Sequence, residues 1–189
     1  MEEIEVKFLE IDVKSIEAML KELGANRAFE RVYKVITFDY PDLRLNEESS
    51  WVRLRDEGDQ TTLAFKQRLG AGKKGENDSG MLEHETVVSD FDQTAEIMRK
   101  IGLTEKFFEE KRRIRYQLDG IEYDIDEVPL LNPYLEIEAG SWDDIDKAIK
   151  LLKLDPKDKK ICSAFQIYEQ AGINQLDYKM LTFDKQTKR

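Results

Sequence analysis

The chain is poor in several residue types on which catalytic and secreted proteins commonly rely. Of its 189 residues one is cysteine, Cys162, one is histidine, His84, and four are proline. A single thiol forbids an intramolecular disulfide and fits a reducing cytoplasm. One histidine and one cysteine nearly exclude a zinc site of the usual His/Cys kind, so any metal has to be a hard cation held by carboxylates. No apolar run approaches the roughly 20 residues that span a bilayer, and no apolar stretch follows the acidic N-terminus, so nothing points to a membrane or to export. Basic residues are in deficit too: 30 Lys and Arg stand against 40 Asp and Glu, a formal charge of −10. The exterior as a whole therefore suits neither nucleic acid nor an anionic membrane, both of which need a positive field. The expectation is a cytoplasmic protein whose partner is small.

What the chain does have is alternation. In Glu3-Ile4-Glu5-Val6-Lys7 the side chains point to opposite faces with a period of two, so three charges share one face and Ile4, Val6 and Phe8 the other. Length and a 40% hydrophobic content predict one globular unit over residues 1–189, with a peripheral, frayed tail from about 175. Ile16, Met19, Leu20 and Leu23 recur at helical spacing between a capping Asp12 and a terminating Gly24. Further strands are expected over 31–40, 51–55, 61–68, 83–89, 106–118, 121–127 and 134–139. The 51–68 pair forms a hairpin, and Asp119-Gly120 turns another. Residues 70–80, with Lys73 and Lys74 among glycines, read as a flexible loop. Helices are expected over 92–102, from Ser141 until Asp155-Pro156 interrupts, and as one short element within 160–170. The count is about eight strands with three or four helices.

The alternation repeats along the chain. Arg53 and Arg55 share a face, as do Lys66 with Arg68, Glu83 with Glu85, Lys111 with Arg113 and Arg115, Glu122 with Asp124 and Asp126, and Glu136 with Glu138. A solvated sheet face usually mixes Thr, Ser, Gln, Lys and Glu, whereas this one is nearly pure charge, grouped by sign strand by strand. The helices need an apolar surface to cover. If the apolar side of the strands packs under them, the charged side turns inward. The predicted fold is thus α+β and β-rich, an eight-stranded antiparallel β-barrel, or tunnel, with a charged interior and flanking helices. An outer apolar strand surface that three helices leave uncovered favours a homodimer.

Burying an ion costs several kcal/mol even after relaxation, so such an interior is not there for stability. It reads as a wet ligand tunnel. Clustered Arg and Lys suit phosphate oxygens, and clustered Glu and Asp without His or Cys suit Mg²⁺ or Mn²⁺. A ligand that needs both is a metal-bound polyphosphate.

On these residues the chain resembles the CYTH superfamily, the triphosphate tunnel metalloenzymes. Glu3-x-Glu5-x-Lys7 matches the ExExK signature. Phe38-Asp39-Tyr40-Pro41-Asp42 with Leu45, Arg53-x-Arg55, Lys66, Glu83-x-Glu85, Lys111-x-Arg113, Asp124-x-Asp126 and Glu136-x-Glu138 follow in the family's order, over about residues 1–140. The resemblance implies hydrolysis of inorganic triphosphate, nucleoside triphosphate or thiamine triphosphate, with Mg²⁺ or Mn²⁺, two ions in all. It assigns phosphate binding to Lys7, Arg53, Arg55, Lys66, Lys111, Arg113 and Arg115. It assigns metal binding to Glu3, Glu5, Glu83, Glu85, Asp124, Asp126, Glu136 and Glu138. Glu5, Lys7 and Lys66 are taken as the catalytic residues. The alternatives are a class IV type adenylate cyclase, converting ATP to cyclic AMP and pyrophosphate, and a non-catalytic polyphosphate or nucleotide-binding module. The chain departs from the family in having Ser163-Ala164-Phe165 where members carry a Ser-Tyr pair. It also lacks a His-Phe pair before ExExK, which tilts the reading toward hydrolysis.

Overall fold

The computed structural model describes residues 4–69 and 81–189; Glu3, Lys73, Lys74 and the loop expected over 70–80 lie outside the described residues. The chain divides into two compact units, one built from residues up to Arg31 together with Arg112–Ile173, the other from Val32–Lys111 and Asn174–Arg189.

In the first unit, strand β1 (Ile4–Phe8) pairs antiparallel with β8 (Tyr134–Ala139), β8 with β7 (Ile121–Glu127), and β7 with the end of β6 (Thr104–Leu118). The β6–β7 connection is the expected two-residue turn. Asp119 and Gly120 both take positive φ, 53° and 78°, as the mirror-image turn of a tight hairpin requires. Helices α1 (Val13–Glu22), α4 (Trp142–Leu151) and α5 (Ala164–Gln170) complete the unit. Asp12 caps α1 by accepting the Lys14 N–H at 3.1 Å, and Ser141 caps α4 through the Asp144 N–H at 3.2 Å. Ser163 begins α5 in a reciprocal capping box with Gln166. The core is formed by the apolar sides of the strands and helices: Val6, Tyr123 and Ile137 against Ile16 and Leu20 of α1 and Ile145 and Ala148 of α4. Burial of such side chains is the main favourable term in folding.

In the second unit, the continuation of β2 (Asn26–Asp39) pairs with β3 (Ser50–Asp56), β3 with β4 (Thr61–Arg68), and β4 with β5 (Met81–Val88), all antiparallel. Helix α3 (Phe91–Lys100), capped by Asp90 through the Gln93 N–H at 2.7 Å, sets Ala95 into a core with Ile36, Phe38, Leu54 and Leu103. The eight expected strands and their antiparallel pairing are therefore present, flanked by helices. Among the described residues no helix is long and apolar enough to cross a membrane.

Three local expectations are corrected. Strand β2 starts at Asn26, not Arg31. Its first residues are polar, and it is the ion pairing of Glu30 with Arg112 that accompanies the strand there, a signal that hydrophobic alternation does not carry. A short helix, α2 (Arg44–Glu47), follows Tyr40-Pro41-Asp42. It forms because the buried Asp39 carboxylate accepts the N–H groups of Tyr40, Leu45 and Asn46 at 2.7, 3.0 and 3.0 Å, which makes Asp39 a turn former.

The tail is not frayed. Strands β9 (Tyr178–Leu181) and β10 (Gln186–Lys188) form a hairpin, and β9 joins β6 in parallel at Phe108 and Glu109. Leu181 is fully buried. Gln175 donates its amide to Glu109 at 2.8 Å, and the Phe183 N–H reaches the Glu110 carboxylate at 3.1 Å. Two strands of four and three residues are too short to show a period, and their hold on β6 comes through hydrogen bonds.

Two measurements check this docking. Leu181→Ala is expected to cost about 2–4 kcal/mol in denaturant unfolding, the range for truncating a buried leucine; a change within about 0.5 kcal/mol would mean a detached tail. Burial also pushes the Glu109 carboxyl from 4.5 up to about 7. A carboxyl whose folded value lies above its unfolded value stabilises the fold while protonated. That contribution is complete below pH 4.5 and is lost as pH rises to about 7. Glu109→Gln should therefore lack this loss, so that its advantage in melting temperature over the wild type grows across that window; parallel pH profiles would refute the assignment.

Candidate active site

Cross-strand register turns the sequence alternation into rows of side chains, because residues directly opposite each other on antiparallel strands share a face. In the first unit one row runs Arg115, Asp124, Glu136, Lys7 across β6, β7, β8 and β1. The row beside it runs Gln117, Glu122, Glu138, Glu5. On the other side Arg113 faces Asp126, which faces Tyr134.

The first row and its neighbours form a buried ion network. Arg113 binds Asp126 with two parallel hydrogen bonds, Nε to Oδ1 at 2.7 Å and Nη2 to Oδ2 at 2.8 Å, reaches Glu136 at 3.0 Å and also pairs with Asp124. Arg115 grips Asp124 in the same forked way at 2.7 and 2.6 Å and pairs with Glu122. Lys7, 3% exposed, lies 2.9 Å from Glu136 and 3.0 Å from Glu5. Burial alone would pull the Lys7 pKa down, but Glu136 and Glu5 outweigh it and hold the ammonium charged. Burial opposes the charge of Arg113 as well, and Asp126 and Glu136 more than restore it. For Asp124 burial wins and raises the carboxyl despite Arg115 and Arg113.

Among the described residues of β1, β6, β7 and β8 in this unit, the face has three cations, Lys7, Arg113 and Arg115, against six carboxylates, Glu5, Glu122, Asp124, Asp126, Glu136 and Glu138. The surplus is concentrated in the row Glu122, Glu138, Glu5, where like charges stand directly opposite one another, an arrangement that is unfavourable by itself. A hard divalent cation is what such an all-carboxylate row fits. As the side chains stand, no three acidic, His or Cys residues among the described residues converge into a finished metal cage.

The second unit repeats the pattern with balanced charge. Across β3, β4 and β5 the rows are Trp51, Lys66, Glu83; then Arg53, Ala64, Glu85; then Arg55, Thr62, Val87. The small Ala64 lets Arg53 reach over β4, so that its Nη2 donates to Glu85 at 2.8 Å and to Glu83 at 3.0 Å. Lys66 holds Glu83 at 2.9 Å, and Arg55 Nη2 lies 2.5 Å from Glu57 and 3.6 Å from Glu85. Burial works against the Glu83 charge, but Lys66 and Arg53 hold the carboxyl below its ordinary value. Lys111 shares its face of β6 with Glu109, whose negative charge it favours against burial.

Of the expected site residues, Glu3 lies outside the described residues, Lys111 stands beside Glu109, and the others are brought together by register and ion pairs within their own unit. Glu122 reads on the charged face but not among the expected site residues, being outside the matched Asp124-x-Asp126 motif. Glu57, in the connection between β3 and β4, is not singled out by the sequence yet is buried against Arg55. Thr62, uncharged, lies opposite Arg55. His84, in contrast, is on the outward side with Phe65.

The family model described as CYTH domain matches residues 1–161. A protein of Methanocaldococcus jannaschii provisionally named an adenylate cyclase is 29% identical over 154 residues, covering 81% of this chain and 85% of that one. Among solved structures, a conserved hypothetical protein of Pyrococcus furiosus superposes with a TM-score of 0.72 at 21% identity, covering 86% of this chain and 97% of its own. A Hippeastrum protein provisionally named an adenylyl cyclase, and described as having a dominant triphosphatase activity, superposes with a TM-score of 0.64 at 14% identity over 94% and 99%.

The ion network makes a stability prediction. Arg113→Met leaves Asp126, Asp124 and Glu136 without their shared partner and should cost about 3–5 kcal/mol in denaturant unfolding. Adding Asp126→Leu to that variant should recover part of the loss. A cost below about 1 kcal/mol would show the network to be solvated.

Proposed function

The chain belongs to the CYTH domain family, and on that premise we propose that it is a divalent-metal-dependent hydrolase of a triphosphate. The observation that carries the reading is the first unit's face, where buried forked arginines and a buried lysine lie beside a surplus of carboxylates. Networks of this kind do little for stability compared with well-packed apolar residues, and their donor chemistry is that of a metal-bound polyphosphate. The Hippeastrum protein, whose described activity is triphosphatase, supports the hydrolytic direction.

Glu5 and Glu138, with Asp124 and Glu136 beside them and Glu122 as an addition to the expected set, would hold Mg²⁺ or Mn²⁺. Bound there, the metal would neutralise phosphate oxygens and lower the pKa of a water. The remaining roles fall to the chain's own residues. Lys7, Arg113 and Arg115 present fixed positive charge to phosphate oxygens, in the forked geometry that guanidinium and phosphate share. Arg53, Arg55, Lys66 and Lys111 offer the same chemistry from the second unit. Phosphoryl transfer needs alignment and charge neutralisation more than covalent help. Because Lys7, Arg113 and Arg115 are already held by carboxylates, they stay oriented until a phosphate oxygen replaces that partner. A specific observation favours a second reading, the adenylate cyclase name of the Methanocaldococcus relative. In a cyclase the same residues would bind ATP, and its 3′-hydroxyl would take the place of water.

Product analysis separates these readings. The expected result is orthophosphate release from inorganic triphosphate with Mg²⁺ or Mn²⁺, abolished by EDTA. Lys7→Met should lower kcat by about 10²–10³-fold, the effect of removing one preorganised charge donor. Cyclic AMP and pyrophosphate from ATP would overturn the hydrolase reading in favour of the cyclase. Binding without turnover in any divalent metal would leave a polyphosphate-binding module.

A further inference from the structure

On the charged face of the second unit, Thr62 stands directly opposite Arg55, and the next residue of β4 on that face, Ala64, stands opposite Arg53. Both β4 residues are buried, Thr62 to 1% exposure and Ala64 to 0%. Three polar atoms here are buried without a hydrogen-bond partner: Thr62 Oγ1, Arg53 Nε and Arg55 Nε. Buried side-chain polar atoms nearly always have partners, so three orphans on neighbouring residues require an explanation.

Their chemistry narrows it. Both Nε–H groups can only donate, and a hydroxyl can donate by rotating its proton. The Nη2 ends of the two guanidiniums are already engaged by Glu83, Glu85 and Glu57, and the Nε–H groups are their buried donors without a partner. Arg55 is steadied by the Tyr33 ring, 5.3 Å from its guanidinium carbon to the ring centroid. Burial and the neighbouring Arg55 charge together pull the Arg53 pKa down, against the opposing pull of Glu83 and Glu85. What three neighbouring donors lack in common is an acceptor, and beside two arginines an anionic one.

We propose that Thr62 is a substrate-contacting residue whose hydroxyl, with the Nε–H groups of Arg53 and Arg55, binds oxygens of one phosphate group of the triphosphate. This rests on the triphosphate reading of the charged faces and adds to it a neutral donor that no charge pattern reveals. A hydroxyl placed there contacts phosphate without adding a third positive charge to a crowded pair.

The test is calorimetric titration of the full chain with inorganic triphosphate in EDTA, so that turnover does not intrude. Thr62→Val, which keeps the shape and removes the hydroxyl, should weaken binding about tenfold, in line with loss of a charge-assisted hydrogen bond. Thr62→Ser should recover most of that loss. Thr61→Val, on the opposite face of β4, should bind as the wild type does. Because the free hydroxyl has no partner to lose, the ligand-free melting temperature of Thr62→Val should equal or exceed that of the wild type. Affinity within twofold of wild type in Thr62→Val would overturn the proposal, as would an affinity loss accompanied by a lower ligand-free melting temperature and not recovered by serine. Wild-type hydrolysis with an unchanged Thr62→Val affinity refutes the subsite alone. Wild-type binding without hydrolysis, with weakened Thr62→Val, refutes the hydrolase reading and keeps the subsite; failure of the wild type to bind in EDTA refutes the subsite, while the hydrolase reading is judged by orthophosphate release with metal present.

Discussion

Arg113 constrains the first unit more than any other side chain. Its guanidinium is buried among Asp124, Asp126 and Glu136, and removing it would leave buried carboxylates short of a shared partner. The arrangement requires that β6, β7 and β8 keep one register, since a slip of one residue would turn every charged side chain to the apolar side. It also requires an apolar opposite face, which Ile114, Ile125 and Ile137 supply and the helices cover. The packing of the core and the composition of the charged face are therefore one constraint seen from two sides.

The two units answer the problem of buried charge differently. In the second, Arg53, Arg55 and Lys66 are matched by Glu57, Glu83 and Glu85, and the strand that carries Glu83 and Glu85 is comparatively exposed. In the first, carboxylates outnumber cations two to one among the described residues of the four strands, and three of them, Glu122, Glu138 and Glu5, stand in one cross-strand row. If a cationic ligand is to be taken up anywhere, electrostatics direct it to the first unit. The orphaned donors of the second direct negative charge there.

Much of this was legible because period two is a strong signal when repeated. Glu3-Ile4-Glu5-Val6-Lys7 alone fits any solvated strand; the same partition in Arg53-x-Arg55, Asp124-x-Asp126 and Glu136-x-Glu138 does not. What the pattern could not carry was anything fixed by tertiary pairing. Strand β2's polar start, the Asp39-centred helix and the C-terminal hairpin are held by hydrogen bonds and ion pairs to distant residues, and local sequence does not encode a distant partner. Glu57 lies in the connection between β3 and β4, where acids are common, and its burial against Arg55 is a tertiary contact that local sequence does not carry. Thr62 is the extreme case, since a threonine in a strand is what β-propensity predicts in any event.

The pre-paired state also bears on how such a face can act. A cation held only by water would have to be oriented when the substrate arrives, at an entropic cost for each long side chain. Here Lys7, Arg113 and Arg115 are oriented beforehand by carboxylates, so that cost falls on folding. On the proposed function, carboxylates displaced by phosphate oxygens would become available to a divalent cation, and the two exchanges would compensate one another in charge. A polyphosphate without metal would free carboxylates with nothing to neutralise them, and a metal without polyphosphate would compete with the arginines. On that function, the ion pairs of the ligand-free face would favour the two ligands together over either alone, and that coupling, more than the strength of any single contact, is what an alternating acid and base wall would provide.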